Sequence, residues 1–293
     1  MKPSIPVIPV QQARLYEDVL TLTSIQPPRH YLNLDSLNAI AGYIAHELGK
    51  LNCKVEYQKY KAQGREYKNV IATFGDVSKQ MVVVGAHYDV CGDQPGADDN
   101  ASAVAGLLEL ARLVNELQPA LSYGVEFVAY CLEEPPFFAT PFMGSFVHAS
   151  SLKETNTQVK AMICLEMIGY FSDEQNSQHF PVNALRYVYP TTGNFITVVG
   201  KLSQLGLIQK VAGHMREVST ISVQSFSAPK LIPAISLSDH RSYWQCGYPA
   251  VMINNTSFYR NPHYHQPTDT IDTLDFDKME QVVKGVYWAM VNI

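Results

Sequence analysis

The sequence predicts an α/β fold, a three-layer α/β/α sandwich around a central mixed, mostly parallel sheet. Three observations predict it. Residues 80–87 carry Val82-Val83-Val84-Gly85-Ala86 ahead of His87, a continuous apolar run of the kind a strand buried on both faces requires. Segments of strand character alternate with segments whose apolar residues recur at helical spacing along most of the chain. Acids or a histidine stand at the ends of three of these strands, where open α/β sheets bind ligands.

The elements follow in order. After an arm broken by Pro3, Pro6 and Pro9, residues 11–22 set Ala13, Leu15, Val19, Leu20 and Leu22 in a helical pattern that Gln26-Pro27-Pro28-Arg29 terminates. Asp35 caps a second helix carrying Leu37, Ile40, Ala41, Ile44 and Leu48, closed near Gly49. Residues 54–60 alternate, residues 69–74 form a short apolar strand, and residues 80–87 follow a Gly75-Asp76 turn, which predicts an edge hairpin leading into a central strand. Val104, Leu107, Leu108, Ala111 and Leu113 mark a helix reaching Leu117. Residues 124–131 are a strand ending in Leu132-Glu133-Glu134-Pro135-Pro136, residues 143–152 a helix, and residues 159–165 a strand that stops at Glu166.

Residues 171–195 are polar and rich in Asn, Ser, Gln, Pro and Gly, and are expected to be a surface excursion rather than a domain boundary. Residues 196–199 and 250–254 read as strands and 202–215 as a helix. Residues 275–292 read as a closing helix with Phe276, Met279, Val282, Val283, Val286 and Met290 on one side. One domain over residues 1–293 is expected, without repeats.

Composition narrows the partners. A chain of 293 residues with 46% hydrophobic and 17% charged residues can bury a substantial core. The net charge of -5 comes with scattered basic residues, so neither nucleic acid nor an anionic membrane is expected as a partner. Five cysteines, an odd number without close pairing, imply no disulfide framework. The amino terminus lacks an apolar signal core and no run reaches membrane-span length, so a cytoplasmic protein is expected.

Five candidate metal ligands stand out: His87, Asp98, Glu134, Glu166 and His265. Zinc accepts imidazole nitrogen and carboxylate oxygen, and a carboxylate can give one oxygen to each of two metals, which makes Asp98 the expected bridge. Glu133 lies outside that ligand count. It can share a site with Glu134 only where the strand has ended, as Pro135-Pro136 implies, and is then free to move a proton. Water acidified by zinc to a pKa near ~7 beside such a carboxylate is the arrangement of metal-assisted peptide hydrolysis. Taken singly these motifs are bland: Asp98-Asp99-Asn100 reads as a turn and helix cap, Glu133-Glu134 as a solvated loop, His87 as a core histidine. Their joint order points to a metal site.

The ordered set His87-Tyr88-Asp89, Gly96-Ala97-Asp98-Asp99-Asn100-Ala101-Ser102, Glu133-Glu134 with Met143-Gly144-Ser145, Leu165-Glu166-Met167-Ile168-Gly169, Ser238-Asp239-His240 and Tyr264-His265 resembles the co-catalytic zinc aminopeptidase family. That family includes bacterial leucyl aminopeptidases and aminopeptidase Y, with the glutaminyl cyclases as relatives. The resemblance runs from about residue 15 to the end. It implies two zinc ions per chain, His87 and Glu166 on one, Glu134 and His265 on the other, Asp98 between them and Glu133 as general base. It further implies that Asp89 orients His87, that the Asp98–Asp99 peptide bond is cis, and that Asp239 and His240 support the substrate region without ligating. Asp99, Asp89, Asp239 and His240 thus fall outside the expected ligand set.

Departures from the family pattern are local. Pro135-Pro136-Phe137-Phe138-Ala139-Thr140-Pro141-Phe142 intervenes before Met143-Gly144-Ser145, and its phenylalanines are expected to line an apolar pocket. Glu166 stands where many members have Asp, and Ala103 where a glycine is common. The remaining histidines, His30, His46, His148, His179, His214 and His263, are expected to be structural, and His240 stands between substrate contact and structural bonding.

The first expectation for function is therefore an aminopeptidase acting on peptides with a free amino terminus. A single-zinc glutaminyl cyclase competes, discriminated by His87, which the resemblance implies such cyclases lack. Carboxypeptidase or dipeptidase action would need a positioned cation, with Arg241 and Arg260 nearby in sequence. A non-catalytic binding protein is disfavoured by retention of the whole ligand set.

Overall fold

The protein is described by a computed structural model covering residues 7–78, 80–228 and 233–293. Strands β1 (Lys54–Ala62) and β2 (Arg65–Phe74) form an antiparallel hairpin with Ala62 opposite Arg65. Its two turn residues, Gln63 and Gly64, both have positive φ, the conformation whose twist matches that of the flanking strands. Strands β3 (Met81–His87), β4 (Gly124–Tyr130), β5 (Val159–Glu166) and β8 (Ala250–Asn254) run parallel in the centre, and β6 (Phe195–Lys201) with β7 (Ser222–Ala228) closes the far edge. The order is β1-β2-β4-β3-β5-β8-β6-β7, with β6 antiparallel to β8. The sheet is mixed, as expected, and parallel in its middle.

Helices cover both faces. On one side α1 (Gln12–Ser24), α2 (Leu34–Gly49), α3 (Ala103–Leu117), α5 (Leu205–Val218) and α7 (Phe276–Asn292) share one core with the β3 side chains Val82, Val84 and Ala86. On the other, α4 (Gly144–Glu154) and α6 (His240–Cys246) share a second core with Met81 and Val83. All seven residues of β3 are buried, which is why its sequence is a continuous apolar run instead of an alternation. Each such side chain contributes roughly 1.5–3 kcal/mol of burial. Gly85 is required within it, because a Cβ there would stand 2.3 Å from the Tyr130 ring.

Two elements differ from the sequence expectation. Strand β7, Ser222–Ala228, is an edge strand with one neighbour and a mostly half-buried, hydroxyl-rich sequence, so it carries little apolar signal. Helix α6 spans only His240–Cys246, too short for a helical period to emerge, although Gly247 at φ 92 marks its end. The excursion after Gly169 holds one short 3-10 turn, Asn183–Tyr187. Among the described residues no helix is long and apolar enough to cross a membrane.

Candidate active site

The parallel strands β3, β4 and β5 bring their carboxyl ends together. His87 closes β3 fully buried, with Nε2 3.4 Å from Asp99 Oδ1, 3.5 Å from Glu166 Oε2 at the end of β5, and 3.9 Å from Glu133 Oε2 beyond β4. His265 enters from the loop after β8, with Nε2 3.1 Å from Asp99 Oδ2 and 3.3 Å from Glu134 Oε1. The Tyr264 ring stacks on it at 3.8 Å. Three donor sets result, each with donor atoms within 4.8 Å of one another: His87 with Asp99 and Glu166, His87 with Glu133 and Glu134, and Glu134 with His265 and Cys91.

Asp98, the expected bridge, is not among them. Its Oδ1 accepts the backbone N–H groups of Gly169 (2.9 Å) and Tyr170 (3.0 Å), and its Oδ2 accepts the side-chain amides of Asn255 and Asn261, each at 2.8 Å. Those four donors turn both oxygens away from the histidines and tie the end of β5 to the chain after β8. Asp99 is the carboxylate that faces both imidazoles. The cis peptide bond likewise lies between Asp99 and Asn100, one residue later than expected.

The turn that presents Asp99 is held from several directions. Asp269, unremarked in the sequence, accepts the backbone N–H of Asp98 (2.9 Å) and of Asp99 (3.0 Å) on its two oxygens. Gly96 at φ 63 is needed at the turn's entry, since a Cβ would fall 2.3 Å from the Asp99 carbonyl oxygen. Asn100 donates to the Leu165 carbonyl and accepts from Met167 N. Buried Arg29 donates to the carbonyls of Leu22, Tyr88, Pro95 and Gly96, joining α1, the end of β3 and this turn through one guanidinium. Burial lowers its pKa to about 10, so it stays cationic near neutrality.

Asp89 orients His87 through its main chain and not through the expected carboxylate, which is engaged elsewhere. The His87 Nδ1–H donates to the Asp89 main-chain carbonyl (3.2 Å), which directs Nε2 at the cluster, while the Asp89 carboxylate accepts the backbone N–H of Glu133 and of Glu134, both at 3.1 Å. It therefore sets the strand-end turn that lets two adjacent glutamates share a site. Ser238 donates to Glu166 Oε2 at 2.5 Å.

Electrostatics describe a buried excess of negative charge. Burial and the neighbouring Glu134 and Glu166 push Glu133 well above the usual carboxylate range, against the pull of His87. Glu134 is raised to about 7, by burial and Asp99, and Asp239 also to about 7, by burial first and then Glu166 and Asp89, with His87 and Ser145 opposing. Burial disfavours a charged His265, yet the Asp99 and Glu134 carboxylates beside its ring raise it to about 10. Asp99 moves the other way: its burial is outweighed by both histidines, which hold it below the ordinary range. Glu134 Oε1 and His265 Nε2 are buried and face each other at 3.3 Å without hydrogen-bond geometry. Orphaned donor atoms of this kind, set among crowded carboxylates, suit a divalent cation.

His240 takes the structural role. Its Nε2–H donates to the Ile235 carbonyl (2.7 Å), its ring stands edge-on to Trp244, and burial lowers its pKa to about 4. A histidine lowered on folding contributes stability that is complete above its ordinary value near ~6.5 and lost as the pH falls toward the folded value. The stability gap between wild type and His240→Gln is expected to narrow by on the order of 3 kcal/mol from neutrality to about pH 4. Urea unfolding of both proteins at the two pH values measures it; a constant gap would contradict a neutral buried His240.

The phenylalanines of the insert divide. Phe137 is buried against Tyr31, Tyr67 and Phe142, whereas Phe138 lies beneath the Arg241 guanidinium at 4.9 Å. The apolar cavity lies elsewhere, lined by Phe195, Phe226, Leu237, Met252, Phe258 and Tyr259. None of the donor residues of the cluster lines it.

Known proteins resemble the chain in sequence and in fold. The chain is 44% identical to the protein YfbL of Escherichia coli (strain K12), over 95% of this chain and 87% of that protein. It is 28% identical to a probable leucine aminopeptidase of Arthroderma otae, over 96% of this chain and 72% of the other. The solved structure of a Bacteroides thetaiotaomicron glutaminyl cyclase bound to N-acetylhistamine matches with a TM-score of 0.74 at 19% identity, covering 98% of this chain and 100% of that one, so the α/β fold is shared. A model of peptidase family M28 matches residues 69–290, most of the chain. With a cluster of histidines and carboxylates at the ends of its central strands, the chain belongs to peptidase family M28.

Proposed function

We propose that the protein is an aminopeptidase that uses two zinc ions. One would be held by His87, Glu166 and Asp99, the other by Glu134, His265 and Asp99, with Glu133 as general base. The observation that carries this reading is Asp99, which turns one oxygen to each histidine. Glu133 is the carboxylate farthest from His87 among the three that face it, at 3.9 Å against 3.4 and 3.5 Å. That spacing favours a proton carrier over a ligand. Zinc, when bound, supplies Lewis acidity toward the scissile carbonyl and acidifies the attacking water. Glu133 takes the water's proton at a carboxylate oxygen and delivers it to the departing amine nitrogen. Asp89 holds the turn in which Glu133 and Glu134 diverge, and Ser238 fixes Glu166.

Action at the amino terminus is supported by charge. Arg260, one cation that could have received a substrate carboxylate, is buried and donates to Gln178 and the Phe195 carbonyl. The other, Arg241, lies over the Phe138 ring within electrostatic reach of Glu133, and the carboxylates of Asp99, Glu133, Glu134, Glu166 and Asp239 outnumber it. The test is a panel of free and amino-blocked peptides with aminoacyl anilides, each product identified. Free-amine substrates beginning with leucine, methionine or phenylalanine are expected to be cleaved and their blocked counterparts left intact. Cleavage of blocked peptides would point to a carboxypeptidase, and ring closure of amino-terminal glutamine without hydrolysis would point to a cyclase.

A further inference from the structure

Cys91 has no part in the chemistry described so far. It is a free, half-buried cysteine two residues beyond Asp89, in the loop that carries the chain from β3 toward the Gly96 turn. Its Sγ, a Glu134 carboxylate oxygen and a His265 ring nitrogen all lie within 4.8 Å of one another. Donor atoms about 2.0–2.3 Å from one zinc ion can stand no more than roughly 4.6 Å apart, so the three atoms sit near the span of a single coordination sphere. A second observation, independent of the thiol, points to the same place. Glu134 is 5% exposed, and its Oε1 and the His265 Nε2 are buried without a hydrogen bond. The two atoms face each other at 3.3 Å without a donated proton between them, so a cation can be taken up there without breaking a hydrogen bond.

We propose that the Cys91 thiolate is a ligand of the metal ion at the Glu134 and His265 position. This rests on the reading that the cluster holds metal. The two positions then differ in chemistry. The one at His87 has imidazole and carboxylate donors alone, while the one at His265 adds sulfur. The other described cysteines offer no alternative: Cys164 bonds to Ser238, and neither it, Cys53, Cys131 nor Cys246 joins a donor set. A soft donor shifts preference toward zinc and cobalt and away from magnesium and manganese, and its extra negative charge weakens the Lewis acidity of the ion it binds. The His87 position is thereby left as the stronger Lewis acid of the pair.

Cobalt(II) reports the bond directly. The full chain, stripped of metal and titrated with cobalt, is expected to show an intense near-ultraviolet thiolate-to-cobalt absorption that grows with one equivalent and then stops, while elemental analysis counts two. Cys91→Ser is expected to lose that absorption and still bind cobalt. Two bound cobalt ions without the absorption, or with it unchanged in Cys91→Ser, would overturn the assignment. Failure to bind cobalt at all would instead overturn the metal reading beneath it. Alkylation of the wild-type chain gives a readout that needs no variant. Cys91 labelling, followed by peptide mapping, should be at least about tenfold slower in the zinc-loaded protein than in the stripped one, because the coordinated thiolate is withdrawn as a nucleophile. Equal labelling rates at full zinc occupancy would contradict coordination.

Discussion

Glu133→Gln is expected to keep both metal ions and lower kcat by about two to four orders of magnitude, which corresponds to roughly 3–5.5 kcal/mol of barrier. Glutamine matches the shape of glutamate and preserves the backbone N–H that Asp89 accepts, but it cannot carry a proton. The buried carboxyl is held by Asp89 through its own main chain, so the substitution leaves the strand-end turn intact. Steady-state kinetics beside elemental analysis separates the roles. A variant that keeps full turnover removes Glu133 from proton transfer, and one that loses a metal ion makes it a ligand.

The second large effect is a contrast between neighbours. Asp99→Asn should bring metal content below two per chain and reduce activity by more than the 10–100-fold typical of outer-shell changes at metal sites, with the fold retained. Asparagine offers one oxygen where two are needed, and places an amide before one imidazole. Asp98→Asn should do the opposite. Its carboxylate accepts from Gly169, Tyr170, Asn255 and Asn261, and an amide in its place sets donor against donor. About 2–4 kcal/mol of stability is expected to be lost, seen as a fall in denaturant midpoint. Equal effects of the two variants on zinc content per folded molecule would contradict the distinction drawn between them.

That distinction also marks where the sequence stops being readable. Asp98 and Asp99 are adjacent and chemically identical, and the choice between them is made by donors some 70 to 163 residues away. No local pattern carries that information. Asp269 and Arg29 act through backbone groups of distant segments, so their roles emerge only once β3, the Gly96 turn and the chain after β8 have met. By contrast β3 could be read because both its faces are buried, and α7 because Asp275 caps it by accepting from Lys278 N while an apolar stripe repeats along it. The strand-end positions of His87, Glu133, Glu134 and Glu166 were equally legible, since polar residues interrupt long apolar runs there. The insert's phenylalanines were harder to read: Phe137 is buried against Tyr31 and Tyr67 while Phe142 lies exposed against Phe137, and aromatic composition alone does not tell a lining from a core.

Where metal binds decides between Asp99 and Asp98 and sets Glu133 apart from the ligands. Anomalous diffraction at the zinc edge from zinc-soaked crystals should give two strong peaks, one among His87, Asp99 and Glu166 and one among Asp99, Glu134 and His265, with Glu133 beside both and bonded to neither. A lone peak, or peaks whose nearest carboxylate is Glu133 or Asp98, would contradict it.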